Sequence, residues 1–160
     1  NATMAEHAAQ FYDTMHTTPV EDMVFDETFD VVNCGDVLEH LLDPWMMLKR
    51  FYDLLNPGGH LVLCVPNIGH WSIVRDLLRG SFEYIPVGLV CITHIRWFTE
   101  STLRESLEQA GFQIAKLERQ QMDPTPKGEK FIADMIRTGY ADELSLRTNE
   151  FFVVAQKDYV

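Results

Sequence analysis

The sequence has little basic charge, few cysteines and no long apolar run. Lys and Arg total 13 against 24 Asp and Glu, for a net charge of −11, which argues against a surface for nucleic-acid phosphates or an anionic membrane. Three cysteines without paired spacing argue against a disulfide framework or zinc knuckle and favour the cytoplasm. No apolar run approaches the roughly 20 residues of a membrane-spanning helix. We expect a small-molecule partner, no nucleic acid and no membrane.

The chain has enough apolar residues for one core. It contains 160 residues, of which 46% are hydrophobic, so we expect a single domain over residues 1–160. It begins with Asn1 rather than Met. This start suggests a cloning scar or a processed end, and we leave Asn1 and Ala2 out of the fold prediction.

One stretch organises the rest of the chain. The apolar run from Phe29 ends at Cys34, Gly35 and Asp36, and His40 follows within about one helical turn. In open α/β sheets, ligands bind where strands end and loops begin, so this pattern indicates a ligand site. The alternative is a plain β-to-α connection in which Gly35 makes the turn and Asp36 caps the next element.

A helix and a second strand complete a βαβ unit. Asp43-Pro44 is typical of a helix start, because the carboxylate caps free N–H groups and proline is tolerated in the first turn. Apolar residues then recur at helical spacing, and His60–Val65 reads as a buried strand. A strand, a helix and a strand in this order predict parallel strands and an α/β fold. The predicted inner stripe of the helix is Trp45, Leu48, Tyr52 and Leu55.

The remaining pattern predicts a mixed sheet with flanking helices and one irregular cover. Residues Ser81–Phe98 follow neither period, yet they are too apolar for a linker, so we interpret them as a lid. The polar, proline-containing stretch 120–128 predicts an exposed connection. Further helices are predicted at Met4–Met15, Trp71–Leu78, Glu100–Ala110 (capped by Thr99) and Phe131–Arg137, and further strands at Phe112–Glu118 and Glu150–Gln156.

Three motifs follow one another along the chain: FDVVNCGDVLEHLLDP, LNPGGHLVLCVPN and HIRWFTESTLRESLEQAGF. In that order they resemble the class I S-adenosylmethionine-dependent methyltransferases, especially the small-molecule branch related to ubiquinone-pathway and glycosyltransferase-associated enzymes. The resemblance covers roughly residues 20–118. It implies a partial Rossmann-like sheet with strands equivalent to 4-5-7-6, of which strand 7 is antiparallel, and S-adenosylmethionine as cofactor.

The resemblance also shows what has no counterpart here. The family's strands 1 and 2, with the glycine-rich loop near the cofactor and the acidic residue on its ribose, are not matched, and no Gly-x-Gly precedes Phe29. Only glycine lets the backbone approach the cofactor so closely. The chain thus resembles the carboxyl-terminal part of a methyltransferase domain, and we expect it to be inactive alone.

The resemblance places cofactor-binding residues on two segments. Cys34, Gly35 and Asp36 would line the methionine side of the cofactor. Val20, Glu21 and Asp22 would lie near the adenine, although the family's usual acidic position there falls on Pro19.

The acceptor would lie beside the cofactor. His40 stands where a general base belongs, because a neutral imidazole has a suitable pKa; the alternative is a histidine hydrogen-bonded to backbone. His70, Trp71, His94 and Arg96 would form the acceptor pocket, with Arg96 binding a carboxylate or phosphate through its planar fork. The alternative for Arg96 is an ion pair that fastens the lid. No metal ligands are assigned.

Two functions therefore compete. The first is methyl transfer to a small-molecule O or N acceptor in the context of a complete domain, and the second is a non-catalytic, methyltransferase-like interaction module. A hydrolase is disfavoured because the sequence has no Gly-x-Ser-x-Gly elbow. Without strand 1, strand Phe29–Cys34 becomes a sheet edge, which predicts a homodimer through that strand or its capping by the Met4–Met15 helix.

Overall fold

A computed structural model describes residues 2–159 of the chain. Within these residues lie four strands and six α-helices, with three short 3-10 turns at Ala9–Phe11, Val20–Asp22 and Leu38–His40. The elements in chain order are α1 (Ala2–Ala8), β1 (Phe29–Gly35), α2 (Pro44–Leu54), β2 (Leu55–Pro66), α3 (Trp71–Leu78), α4 (Glu100–Gln109), β3 (Gln113–Gln121), α5 (Pro126–Thr138), α6 (Glu143–Arg147) and β4 (Thr148–Gln156).

The four strands form one sheet in the order β1-β2-β4-β3. Strand β1 pairs with β2 in parallel, whereas β4 runs antiparallel to both of its neighbours. This confirms the predicted 4-5-7-6 arrangement with an antiparallel strand 7. The long β1-to-β2 connection carries helix α2, as a parallel crossover requires.

Helix α2 begins where the sequence predicts, but its buried face differs. The Asp43 carboxylate accepts a hydrogen bond from Met46 N at 2.9 Å, which satisfies one of the free N–H groups of the first turn. The inward residues are Pro44, Met47, Leu48 and Phe51. Trp45 is 47% exposed, so its place in the predicted stripe was wrong. Leu48 and Leu55 of the predicted stripe are buried as expected, whereas the indole N–H of Trp45 donates to Ser106 Oγ at the rim.

The core lies between the sheet and helices α2 and α4. Leu61, Leu63 and Val65 alternate along β2 and are fully buried, which is the two-residue period of a strand. Leu103 and Leu107 of α4 are also fully buried. Thr99 caps α4 through a capping box with Thr102, confirming the predicted helix start.

A second, smaller apolar cluster joins α3, α5 and α6. Trp71, Ile132 and Leu146 form its buried centre. Helix α5 starts earlier than the predicted Phe131, because Thr125 caps it and Pro126 occupies the first turn. Part of the predicted exposed connection is therefore helical. Sequence reasoning missed α6, which has only five residues.

The amino-terminal helix is shorter than predicted, and it does not bury the apolar face or cover strand β1 as expected. It ends at Ala8, and a 3-10 turn follows to Phe11, whereas the prediction extended to Met15. Phe11 and Tyr12 remain 76% and 65% exposed, so the expected apolar face is not buried. Strand β1 is a sheet edge with Val31 56% exposed; the expected helical cap does not cover it.

Residues 81–98 are irregular, as predicted for the lid. The segment contains isolated bridges rather than a helix or strand, and it is fastened to the body by backbone hydrogen bonds from Ile95 and Arg96 to Glu39 O, at 2.8 and 3.0 Å. Among residues 2–159, no helix combines the length and apolarity that crossing a membrane requires.

Candidate functional site

Three strand ends meet at one edge of the sheet. Asp36 directly follows β1, Pro66 ends β2, and Glu150 lies near the start of β4, opposite Pro66. The Asp36 N–H donates to Cys64 O at 3.2 Å. Asp36 has φ 51°, in the left-handed region that non-glycine residues rarely enter. Such local strain is often concentrated at functional sites.

These ends border an acidic cleft of about 410 Å³. The carboxyl groups of Asp36, Glu39 and Glu150 line it together with His94, and no Lys or Arg of the described chain is among the lining residues. Its other walls are Pro66, Val87, Gly88, Leu89, Met122 and Asn149. The cleft therefore offers negative charge beside apolar walls, which suits a ligand with a cationic or proton-bearing group.

Glu39 is a buried carboxylic acid without a hydrogen-bond partner for its side chain. The residue is 1% exposed, and neither carboxyl oxygen has a partner. Burial is the main cause that raises the pKa of Glu39 above its usual value. A buried acid whose carboxyl oxygens lack hydrogen bonds is costly, so its place at a ligand cleft indicates a functional role.

His40 and His94 both direct their Nε2 atom toward the Glu39 carboxyl group and their Nδ1 atom toward a backbone carbonyl. His40 Nδ1 lies 2.9 Å from Thr93 O, and His94 Nδ1 lies 3.0 Å from Leu89 O. Since a carbonyl oxygen only accepts, each Nδ1 carries the proton. Each Nε2 lies 4.0 Å from Glu39 Oε1, and the two rings meet edge to face with centroids 4.8 Å apart.

This Glu39 cluster, formed by Glu39, His40 and His94, has the donor set of a divalent transition-metal site. In the neutral imidazoles the Nε2 lone pairs are free, and metal-binding histidines commonly donate their other N–H to a backbone carbonyl. Sequence reasoning assigned no metal ligands, because His94 lies far from Glu39 and His40 in sequence. The folded lid brings the three side chains together.

The residues predicted for the cofactor divide between two places. Val20 and Cys34 line an apolar groove of about 550 Å³ along β1, whereas Asp36 faces the acidic cleft. Cys34 is 2% exposed, and burial is the main reason that its pKa rises to about 12. Its thiol is therefore unreactive and contributes by packing.

The other predicted cofactor residues are Val20, Glu21 and Asp22 in a 3-10 turn and Gly35 at the end of β1. The backbone oxygens of Val20 and Glu21 accept hydrogen bonds from Arg50, which fixes the turn that also contains Asp22. Gly35 leaves room beside Cys64, whose Sγ would be 3.6 Å from an added Cβ. Their cofactor roles stay predictions.

The predicted acceptor residues do not share one pocket. His94 lines the acidic cleft. His70 is buried, which lowers its pKa to about 4, and its Nδ1 lies 2.8 Å from Ser72 Oγ. Trp71 packs in the second apolar cluster. Arg96 donates hydrogen bonds to Leu42 O and, at 3.1 Å, to Ile95 O, so it fastens the lid, although to carbonyls rather than an acid.

Glu150 is the site residue that sequence reasoning missed. The predicted topology indicated its position, because an antiparallel strand 7 must begin at the edge of the sheet where the parallel strands end. Residue 150 was also the predicted start of that strand. Burial and a hydrogen bond with Asp36 raise the pKa of Glu150 to about 7.

Comparison with known proteins identifies the family. The parallel β1-β2 pair, the antiparallel β4 and the polar groups at the strand ends define a Rossmann-like methyltransferase sheet. The family profile described as "Methyltransferase domain" matches residues 3–117. The chain belongs to that family, the class I S-adenosylmethionine-dependent methyltransferases.

Individual relatives agree with this assignment. A ubiquinone biosynthesis O-methyltransferase from Marinobacter nauticus is 25% identical over 126 residues, covering 74% of this chain and 51% of the relative. A methyltransferase structure from Mesorhizobium loti has a TM-score of 0.59 at 20% identity, covering 98% of this chain and 77% of the other.

A second structure shows the same fold with ligands bound. It is the 1,6-didemethyltoxoflavin-N1-methyltransferase of Burkholderia thailandensis with bound 1,6-didemethyltoxoflavin and S-adenosylhomocysteine. Its TM-score is 0.57 at 20% identity, covering 97% of this chain and 56% of the other. This chain spans about half or less of the length of the first curated relatives it matches.

Proposed function

We propose that this chain provides the acceptor side of an S-adenosylmethionine-dependent methyltransferase that acts on a hydroxyl or amine of a small molecule. The observation that carries the proposal is the Glu39 cluster, at the carboxyl-terminal edge of the parallel strands. This is where ligands bind in open α/β sheets. The named O-methyltransferase and N1-methyltransferase relatives support both acceptor classes.

His40 is the proposed general base. Its Nδ1–H is held by Thr93 O, so Nε2 is the nitrogen left to accept a proton from the acceptor. In a complete domain the cofactor would supply an electrophilic methyl group to the acceptor oxygen or nitrogen, whose proton His40 Nε2 would accept. Glu39, 4.0 Å from Nε2, stabilises the resulting imidazolium. Placing the reactants in line supplies most of the acceleration.

A divalent cation is the second candidate at the same cluster. Bound by Glu39, His40 and His94, it would act as a Lewis acid and lower the pKa of an acceptor hydroxyl. In that case His40 is a ligand rather than the base. The unpaired Glu39 carboxyl and the two inward Nε2 atoms are the observations that favour this alternative.

We further propose that the chain alone is inactive and binds the cofactor weakly. The sequence before Phe29 offers no Gly-x-Gly turn, and β1 is a sheet edge bordered by an apolar groove. Titration with S-adenosylmethionine tests this proposal, because a half-formed site should give no saturable binding below about 1 mM.

We also propose that the protein works in the cytoplasm. Its three free thiols support a reducing compartment.

The exposed edge also supports a proposed homodimer through Phe29–Cys34. Unpaired backbone groups of an edge strand recruit another strand, and Val31 presents an exposed apolar side chain there. We expect analytical ultracentrifugation at tens of micromolar to give a dimer, and Val31→Lys to shift it to monomer. A monomeric wild-type chain would contradict the proposal. If the chain forms a dimer, and if joining it to the missing amino-terminal part of a methyltransferase domain does not restore cofactor binding, the interaction-module alternative is favoured.

A further inference from the structure

A second cavity, the lid cavity, lies between helix α3 and the lid. Its volume is about 270 Å³, close to the lower limit of roughly 300 Å³ for ligand pockets. Ser72 and Asp76 of α3 line one side, and Phe82 and Glu83 of the lid line the other. The lid cavity can therefore hold one small substituent of a ligand. None of the residues predicted for the cofactor or the acceptor lines it.

Leu89 connects the lid cavity to the acidic cleft. This residue lines both cavities, and its carbonyl oxygen accepts a hydrogen bond from His94 Nδ1 at 3.0 Å. His94 belongs to the Glu39 cluster. The lid cavity is therefore adjacent to the groups proposed for methyl transfer, where the non-reacting part of an acceptor would lie. Together the two volumes fall within the roughly 300–1,000 Å³ of small-molecule sites.

Glu83 gives the lid cavity a carboxylate without a counterion. The other lining acid, Asp76, is bound by Arg75, whose Nε and Nη2 donate to its two oxygens at 2.8 and 3.0 Å. Within residues 2–159, the Glu83 side chain has neither an ion pair nor a hydrogen bond, and no Lys or Arg of that range lines the cavity. One negative charge of the cavity therefore stays uncompensated.

A hydroxyl group and an aromatic ring of the lid cavity also suit an amine. Ser72 Oγ lies 2.8 Å from His70 Nδ1, and whichever of these two atoms donates, the Ser72 oxygen keeps a lone pair for a ligand N–H. The Phe82 ring meets Tyr84 and Trp97 edge to face, with centroids 5.3 and 5.7 Å apart. These contacts fix the ring beside the cavity, and aromatic faces attract cations.

We propose that the lid cavity binds an ammonium group on the non-reacting part of the acceptor, with Glu83 as its counterion and Ser72 as a hydrogen-bond acceptor. Glu83 and Ser72 are then specificity-determining residues that contact the substrate away from the reacting atoms. The acceptor class is a small molecule with a reacting hydroxyl or amine and a second, basic amine. That this amine belongs to a methyl acceptor rests on the function proposed above, whereas amine binding itself does not.

Benzylamine and benzyl alcohol are matched probes, because they share a ring and only the amine is charged at pH 7. In about 0.15 M salt, which screens the net charge of the chain, we expect benzylamine to bind at millimolar concentration. It should shift the backbone amide NMR signals of Ser72, Phe82 and Glu83. Benzyl alcohol should bind about fivefold more weakly, and Glu83→Gln should weaken only benzylamine, by a similar factor. Glu27→Gln, an exposed acid before β1, is the control and should change neither affinity.

Two further variants locate the amine. Ser81→Trp, at an exposed lining position, fills the lid cavity and should abolish saturable binding, whereas Asp36→Asn, in the acidic cleft, should leave it unchanged. Equal affinity for the two probes, no effect of Glu83→Gln, or binding lost in Asp36→Asn would overturn the proposal and leave the proposed function standing. Binding as expected, in a complete domain that transfers no methyl group, would contradict the proposed function and support the amine site.

Discussion

Asn67→Ala is expected to lower the free energy of unfolding by roughly 3 kcal/mol, because one buried and two partly buried backbone groups lose their partner. Asn67 is fully buried at the end of β2. Its amide donates to Ser145 O at 2.9 Å and to Thr148 O at 2.8 Å, and its oxygen accepts from Gly69 N at 2.8 Å. Urea denaturation at pH 7 measures the loss.

The same residue holds the edge of the acidic cleft. The Asn67 N–H donates to Asn149 O at 2.9 Å, and Glu150 is the next residue. Asn33→Ala, at an exposed position of β1, is the matched control and should change stability by less than about 0.5 kcal/mol. A loss below about 1 kcal/mol for Asn67→Ala would mean that the amide network does not fasten β4 to β2.

Glu39→Gln should stabilise the protein at neutral pH while weakening cation binding at the Glu39 cluster. The raised pKa of Glu39 means that wild-type stability decreases as pH rises through that pKa. Gln carries no charge, and its amide can donate to an inward Nε2. We expect a gain of about 1 to 2 kcal/mol at pH 8 and little gain at pH 4, measured by urea denaturation in a chelating buffer.

The cation readout separates the two candidate roles of this cluster. If a cation occupies the cluster, calorimetric titration with Zn²⁺ or Mn²⁺ shows binding to the wild type that weakens about a hundredfold in Glu39→Gln, equivalent to roughly 2.8 kcal/mol. Glu27→Gln, an exposed acid before β1, should leave both stability and binding unchanged. If the wild type binds neither ion, His40 remains as the free base. If Glu39→Gln lowers stability at pH 8, Glu39 has a partner that the structure does not show.

The sequence predicted the sheet well because each strand carries a strong local signal. The runs around Val32 and Leu63 are apolar and end at turn residues, so their positions depend little on distant contacts. The helix caps at Asp43 and Thr99 are equally local and were correct. The order of the four strands came from the family resemblance, and the structure confirms it.

The errors have a common physical origin in tertiary contacts. Trp45 has the apolar character of a core residue, yet its ring lies at the rim because Ser106 satisfies its N–H there. The apolar residues of α1 predicted a buried face, but no packing partner covers Phe11 among the described residues. Helix α6 is short, so its stability comes from packing and from the Asp142 cap rather than from intrinsic propensity.

Of the residues at the candidate site, Asp36, His40 and His94 were predicted, whereas Glu39 and Glu150 were given no role. Asp36 and His40 follow β1 directly, and they were predicted. The polar residue Glu39 lies next to His40 in sequence, but its burial depends on the lid. The lid also brings His94 close to Glu39, although more than 50 residues separate them in sequence. Glu150 enters through the antiparallel β4. Its position followed from the topology, although its raised pKa depends on three-dimensional burial.

Binding of S-adenosylmethionine, compared between two proteins, tests the central claim most directly. The first is this chain, and the second is a fusion in which the amino-terminal half of the Marinobacter nauticus relative precedes it. Tryptophan fluorescence from Trp45, Trp71 and Trp97 reports binding in both. We predict no saturable binding below about 1 mM for the chain and micromolar binding for the fusion. Micromolar binding to the chain alone, or none to a folded fusion, would contradict the claim that this chain is the acceptor side of a methyltransferase.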